Sequence, residues 1–194
     1  MHTLVFATNN DNKVNEIRAI LGNAFHIIPL KEAGILIDIP EPHQTLQENA
    51  SEKSSTIHTL TGRHCFAEDT GLEVEALGGE PGVRSARYAG EAANSEDNVA
   101  KLLKNLAGKS NRAAQFRTII SLIIDGKEYQ FEGICAGSIT EQASGTAGFG
   151  YDPIFIPEGS NKTFAEMDMD EKNKFSHRRK SVDKLTAFLN SYNG

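Results

Sequence analysis

Two strand-forming runs, Phe116 to Ile124 and Glu128 to Ile134, are separated by Asp125-Gly126, and that spacing leaves few folds open. An Asp-Gly pair between β-rich runs is a strong hairpin signal, because both central turn positions need positive φ. An antiparallel ribbon is therefore expected in the second half of the chain. The N-terminus asks for something else. Thr3 to Ala7 is a continuous apolar run, suited to a strand covered on both faces as in a parallel sheet. It ends in the polar turn Thr8-Asn9-Asn10, and a helix is expected over Asp11 to Leu21 with Val14, Ile17, Ile20 and Leu21 on one face. Parallel-type and hairpin elements in one chain point to a mixed α/β fold around one long twisted central sheet flanked by helices. The 194 residues suit a single domain spanning 1–194, or at most two small lobes sharing a core.

Between these anchors, Phe25 to Leu30 reads as a strand, and Lys31 to Gln44, with Pro40 and Pro42, as irregular. Thr45-Leu46-Gln47-Glu48 resembles a capping box, so a helix is expected from there towards Leu60. Cys65 to Glu68 reads as a short strand stopping at Asp69-Thr70-Gly71, with Leu72, Val74 and Ala76 alternating beyond. Asn94 or Ser95 can cap a helix holding Val99, Leu102, Leu103 and Leu106. A glycine-rich loop, Gly145 to Asp152, precedes the apolar Pro153 to Ile156, and the chain closes in a helix with Val182, Leu185, Phe188 and Leu189 on one face.

Composition excludes several function classes. Lys plus Arg is 20 against Asp plus Glu 26, a net charge of −6, which argues against gripping a nucleic-acid backbone. It leaves small phosphorylated ligands open, since a few cations in one pocket suffice. No run approaches the ~20 apolar residues of a membrane span, and MHTLVFATNN enters a strand without a basic leader region. Cys65 and Cys135 lie in apolar contexts far apart in sequence, which suits buried free thiols in a cytoplasmic protein, with a structural disulfide as the alternative. Four-ligand zinc spacing is absent.

Four segments can carry chemistry. Thr8, Asn9, Asn10, Asp11, Asn12 and Lys13 take a strand through a polar loop into a helix, where backbone N–H groups and the helix dipole suit a phosphate and Lys13 can close over it. An Asn-rich turn with a solvated lysine is the alternative. Glu41, Glu48, Glu68 and Asp69 form an acidic set able to hold Mg2+ beside a polyphosphate. Neighbouring strand residues face opposite ways, so Glu68 and Asp69 cannot both be ordinary inward ligands, and Asp69, nearer the turn, is preferred. Glu48 can simply complete its capping box. In Gly145 to Asp152, Phe149 between glycines offers a stacking surface for a base, and Asp152 an edge reader; Phe149 plugging the core is the alternative. Lys172 with Ser176-His177-Arg178 can donate to base carbonyls or phosphate, or form a basic cap on the last helix. No Ser sits in a G-x-S-x-G elbow.

In order and spacing, ATNNDNKVNEI, ENASEK, AEDTGLEVEALGGEPGVRSARYAG, GFGYDPIF and EKNKFSHR resemble the inosine triphosphate pyrophosphatase (Ham1-like) family nearly end to end. The resemblance implies a Mg2+-dependent hydrolase that cleaves dITP, ITP or XTP between the α- and β-phosphates, releasing a monophosphate and pyrophosphate. It implies two lobes with the active-site cleft between them, and a homodimer. Thr8 to Lys13, Lys53 and Lys172 would hold the triphosphate. Asp69 would be general base or metal carboxylate, and Glu41 a metal-associated carboxylate. Thr70 and Phe149, Gly150, Tyr151 and Asp152 would contact the nucleotide, and His177 and Arg178 would face the six-position carbonyl. Arg179, in place of a small residue, would add charge near that pocket. Gly78 to Gly90, with Pro81, Val83 and Tyr88, reads as an exposed, partly apolar loop suited to the dimer interface. The alternatives are a Maf-type pyrophosphatase acting on modified pyrimidine or guanine nucleotides, and a non-catalytic nucleotide-binding module.

Overall fold

A computed structural model describes residues 3–22, 25–92 and 94–192. Its strands are β1 (Thr3–Phe6), β2 (His26–Pro29), β3 (Cys65–Val74), β4 (Pro81–Gly82), β5 (Ala113–Ile124), β6 (Lys127–Ile139) and β7 (Phe155–Pro157). Its helices are α1 (Asp11–Leu21), α2 (Leu46–Thr61), α3 (Ser95–Asn105), α4 (Met169–Asn173) and α5 (His177–Ser191). Among the described residues one mixed sheet runs in the order β2-β1-β3-β5-β6-β7, with β4 paired to β3. β1 pairs in parallel with both β2 and β3, while β4 and β7 pair antiparallel.

The chain divides into two compact units. The first comprises Met1–Asp69, Thr118–Gly133 and Arg178–Gly194; the second comprises Thr70–Arg117 and Ile134–His177. Within the first, strand alternation sorts the core. Leu4, Phe6 and Phe66 pack with Val14 and Ile17 of α1 and Val182 and Leu185 of α5, and the Phe6 and Phe66 rings stack at 4.4 Å. Val5, Ala7, Cys65 and Ala67 pack on the other face with Ile57 of α2. The second unit is built on Leu72, Val74, Leu102, Phe116, Phe155 and Phe164, with Phe116 edge-on to Phe155 at 4.7 Å.

The local signals act where they were expected. Asn10 caps α1, Thr45 caps α2 and Asn94 caps α3. Thr45 Oγ1 accepts from the Glu48 backbone N–H at 3.2 Å and donates to the Glu48 carboxylate at 2.7 Å, so Glu48 serves its cap. Asp125 and Gly126 have φ of 49° and 71°, the conformation that a two-residue hairpin turn requires. Both cysteines are free and buried, and burial raises the Cys65 thiol to about 12.

Two expectations are corrected. β3 does not stop at Asp69-Thr70-Gly71 but continues to Val74. The glycine marks a close approach of backbones, since a Cβ on Gly71 would lie 2.6 Å from the Gly82 carbonyl oxygen. Nor is Gly78 to Gly90 an exposed apolar loop. Pro81 lies in β4, and Tyr88 is buried in the core of the second unit. The Tyr88 hydroxyl donates to Glu80 at 3.0 Å and accepts from Asn105 at 2.8 Å. Pro81 and Tyr88 are thus committed to the packing of their own unit, while Val83 is half-buried and Arg84 and Ala86 are exposed.

Gly71→Ala should lower the unfolding free energy by about 1–3 kcal/mol, because a backbone carbonyl cannot step aside for a methyl group. Denaturant unfolding checks this; unchanged stability would mean that β3 and β4 are not held at this spacing.

Candidate active site

Glu68 and Asp69 follow one another in β3, so they leave the strand on opposite faces, and each is at least nine-tenths buried. Glu68 turns to the face covered by α1 and α5. Arg178 of α5 grips it twice, Nε to Oε2 at 2.7 Å and Nη2 to Oε1 at 2.8 Å, and donates from Nη1 to Glu16 of α1. Lys13 Nζ lies 3.1 Å from Glu68 Oε1. Burial pushes the Glu68 carboxyl up, but Arg178 and Lys13 outweigh it and hold the group well below the usual carboxylate range. Burial likewise lowers Arg178, and the two carboxylates more than restore it. Arg178 and Lys13 thus meet Glu68 and Glu16 in one buried cluster.

Asp69 turns the other way, towards α2. Lys53 Nζ donates to Asp69 Oδ1 at 3.0 Å and to Glu41 Oε1 at 2.6 Å, so one buried ammonium joins the strand to the irregular loop. Here burial, the largest influence, pushes Asp69 up; Lys53 and Lys13 pull it down and Glu41 adds to the rise, and the net result is raised. Burial lowers Lys53, but Asp69 and Glu41 overcome it and raise the group. Two carboxylates thus converge on one buried ammonium, and a raised carboxyl in such a setting favours a proton. Among the described residues no three His, Cys, Asp or Glu side chains gather as a ready metal cage.

The Thr8 to Lys13 loop is partly self-satisfied. Asn10 Oδ1 accepts from the backbone N–H of Asn12 at 3.0 Å and of Lys13 at 3.2 Å. Thr8 Oγ1 accepts from Asn10 N–H at 3.1 Å, and Asn9 Nδ2 donates to the Ile37 carbonyl at 3.0 Å. Two of the backbone donors expected to face a phosphate are thus occupied by the cap itself, as asparagine at this position commonly does. Asn9, Asn10, Asp11 and Asn12 remain exposed, and Lys13 is half-buried.

The second unit assembles a different set. Asp152 Oδ2 accepts from Lys172 Nζ at 2.7 Å and from the Phe149 backbone N–H at 2.9 Å. Lys172 Nζ also lies 5.4 Å from the centre of the Phe149 ring and 5.2 Å from that of Phe164, within cation–π range. A side chain on Gly148 would collide with the Asp152 carboxylate, which explains the glycine. Phe149 and Gly150 are half-buried, and Phe149 is not part of the apolar core. The Tyr151 hydroxyl donates to the Ser85 carbonyl at 2.8 Å. His177 is buried and stacks on Phe116 at 4.7 Å, and Thr70 is half-buried in β3.

Three placements add to the sequence expectation. Lys172 sits with Phe149 and Asp152 in the second unit, and Lys13 and Lys53 belong to the first. Arg178, expected beside His177 at a base, commits three of its five N–H groups to Glu68 and Glu16 of the first unit. Arg179 pairs with Asp183 at 2.7 Å on an exposed helical turn. Sequence reasoning missed Glu16 and set Glu68 aside. The signal for Glu16 was a carboxylate on the buried stripe of α1, three residues after Lys13 and one before Ile17.

In class this is a mixed α/β protein with a carboxylate–lysine centre in one unit and a lysine–aromatic set in the other. The chain belongs to the Ham1 family, whose model matches residues 4–188. It is 51% identical over 186 residues to the dITP/XTP pyrophosphatase of Flavobacterium johnsoniae, covering 96% of this chain and 97% of that one. It is 52% identical over 190 residues to the dITP/XTP pyrophosphatase of Porphyromonas gingivalis, covering 97% and 98%. Among solved structures it resembles the Ham1 protein of Staphylococcus aureus, with a TM-score of 0.88 at 40% identity over 97% of this chain and 98% of that one. A HAM1 protein from Coxiella burnetii gives 0.90 at 35% identity, over 99% and 100%.

Arg178→Ala should cost about 3–5 kcal/mol of stability at pH 7, because it removes the guanidinium that two buried carboxylates share. In the native protein Glu68 titrates below its unfolded value, so its contribution is present at neutral pH and lost only as pH falls below the ordinary carboxylate range. The variant should behave oppositely and regain stability between pH 7 and 5, as those carboxylates take up protons. Parallel slopes in urea unfolding across that interval would show that the cluster is not organised by Arg178.

Proposed function

We propose that this protein hydrolyses the non-standard purine nucleoside triphosphates dITP, ITP and XTP to the nucleoside monophosphate and pyrophosphate, removing deaminated purines from the nucleotide pool. The observation that carries the proposal is the Asp69–Lys53–Glu41 centre, two carboxylates converging on one buried lysine, of which Asp69 is raised by burial. Relatives near half identity over almost their whole length carry the name dITP/XTP pyrophosphatase, which supports the substrate class.

Lys13, Lys53 and the Thr8 to Lys13 loop hold the triphosphate. Water attacks the α-phosphorus while the bond to the bridging oxygen breaks, pyrophosphate leaves, and Asp69 takes the proton from the attacking water. A carboxylate raised towards neutrality is a better proton acceptor than an ordinary aspartate. Glu41 and Asp69 fit Mg2+, which typically takes one or two protein carboxylates and fills its remaining positions with water and substrate phosphate. When bound, Mg2+ offsets phosphate charge and polarises the phosphoryl oxygens. Glu68 and Arg178 hold the strand and Lys13 in place for this chemistry.

Phe149 stacks on the purine, and Lys172 with His177 faces the six position. Hypoxanthine and xanthine accept there, whereas adenine donates. A buried donor left facing an amino group costs about 1–3 kcal/mol, enough to disfavour ATP. Asp152 orients Lys172, and Thr70 with the Gly150-Tyr151 backbone contacts the nucleotide. Free buried thiols suit a reducing cytoplasm. The net charge of −6 disfavours nucleic acid, and no described helix is long and apolar enough to cross a membrane. We further assign a homodimer, supported by the exposed apolar Leu36 and Leu60.

Pyrophosphate release measured across dITP, ITP, XTP, GTP, ATP and a modified pyrimidine triphosphate, with and without EDTA, tests the assignment. Hydrolysis of the first three, abolished by EDTA, is expected. Turnover confined to modified pyrimidine nucleotides, or nucleotide binding without turnover, would refute it. Asp69→Asn should lower kcat by about 10²-fold or more while KM changes little, and near-normal kcat at saturating Mg2+ would remove Asp69 from the chemistry.

A further inference from the structure

Glu41 comes from a segment with no helix or strand, between Pro40 and Pro42, yet it must present its carboxylate to the Lys53 and Asp69 centre. The prolines restrict the local backbone but do not say where the loop sits against α2. That is settled two residues on. The Asn49 side chain reaches from the first turns of α2 to the backbone of His43 and holds both of its polar groups. Asn49 Oδ1 accepts from His43 N–H at 2.9 Å, and Asn49 Nδ2 donates to the His43 carbonyl at 3.2 Å. Asn49 is 1% exposed, so neither bond is readily replaced by water. Lys53 follows four residues later on the same helical face, and there it takes the Glu41 carboxylate. One stripe of α2 therefore grips the loop at two points, by backbone at His43 and by side chain at Glu41.

We propose that Asn49 is a positioning residue for Glu41: its amide fixes the loop so that the Glu41 carboxylate is delivered to Asp69 in the geometry that binds the divalent ion. The inference rests on the assignment of Glu41 and Asp69 to Mg2+ made above. Only an amide supplies both a donor and an acceptor in this reach, and supporting residues behind a metal ligand commonly govern affinity by about 10- to 100-fold.

The test is a double-mutant cycle on the full chain, with Mn2+ as the probe and its free EPR signal as the readout. Wild type, Asn49→Ala, Glu41→Gln and the double variant are titrated, with Asn49→Ser alongside and melting temperatures recorded for all. Asn49→Ala should weaken Mn2+ binding by about tenfold, and the double variant should bind no more weakly than Glu41→Gln alone. Asn49→Ala and Asn49→Ser, with Glu41 intact, should need more Mg2+ for half-maximal pyrophosphate release while approaching native kcat at saturation. Unchanged Mn2+ affinity in a folded Asn49 variant, with Glu41→Gln weakened, would overturn the inference alone. So would fully additive losses in the double variant, since Asn49 would then act by a route other than Glu41. If Glu41→Gln itself leaves Mn2+ binding unchanged, the metal assignment fails and the inference with it. If neither Asn49 variant folds, Asn49 is only structural and the inference falls.

Discussion

Successive residues of a strand face opposite ways, and β3 carries two carboxylates in succession where neither is open to water. Burying two adjacent negative charges is costly unless each finds cations of its own. The helices on the two faces of the sheet supply them. α1 and α5 bring Lys13 and Arg178 to Glu68, while α2 brings Lys53 to Asp69. The placement of these three helices on β1 and β3 is therefore tied to charge as well as to apolar packing. The same alternation that sorts Phe66 from Cys65 and Ala67 sorts Glu68 from Asp69.

The two carboxylates differ in what surrounds them, and the difference divides structure from chemistry. Glu68 lies in a cluster with a bidentate guanidinium, which fixes it as an anion. Asp69 shares Lys53 with Glu41, and burial leaves it raised. A carboxylate in the first setting is inert, and one in the second can take a proton or a divalent ion. Arg178 holds Glu68 by two hydrogen bonds, and in the second unit Asp152 holds Lys172 beside the Phe149 ring.

Much of this was legible in the sequence wherever a local rule applies. α1 spans the expected residues because its apolar stripe and its Asn10 cap agree, and Asp125-Gly126 could do little but turn. The capping box at Thr45 placed the start of α2, and with it Lys53. What local rules could not give were partnerships across the chain. Arg178 meets Glu68 and Glu16 across separations of 110 and 162 residues, and His177 and Arg178, neighbours in sequence, fall in different units. Gly71 misled because a glycine that ends a strand and one that admits a close partner strand look alike until the partner is known. Tyr88 and Pro81 misled because an apolar loop reads the same whether it packs inward or outward.

The most direct test of this division compares the unfolding free energies of Glu68→Gln and Asp69→Asn at pH 7. Glu68→Gln should lose about 3 kcal/mol or more, since it breaks a buried ion cluster. Asp69→Asn should be no less stable than the native protein, because an aspartate of raised pKa is ionised at neutral pH at a cost to folding. Equal destabilisation by the two substitutions would contradict the account, for it would make Asp69 a structural ion pair like its neighbour.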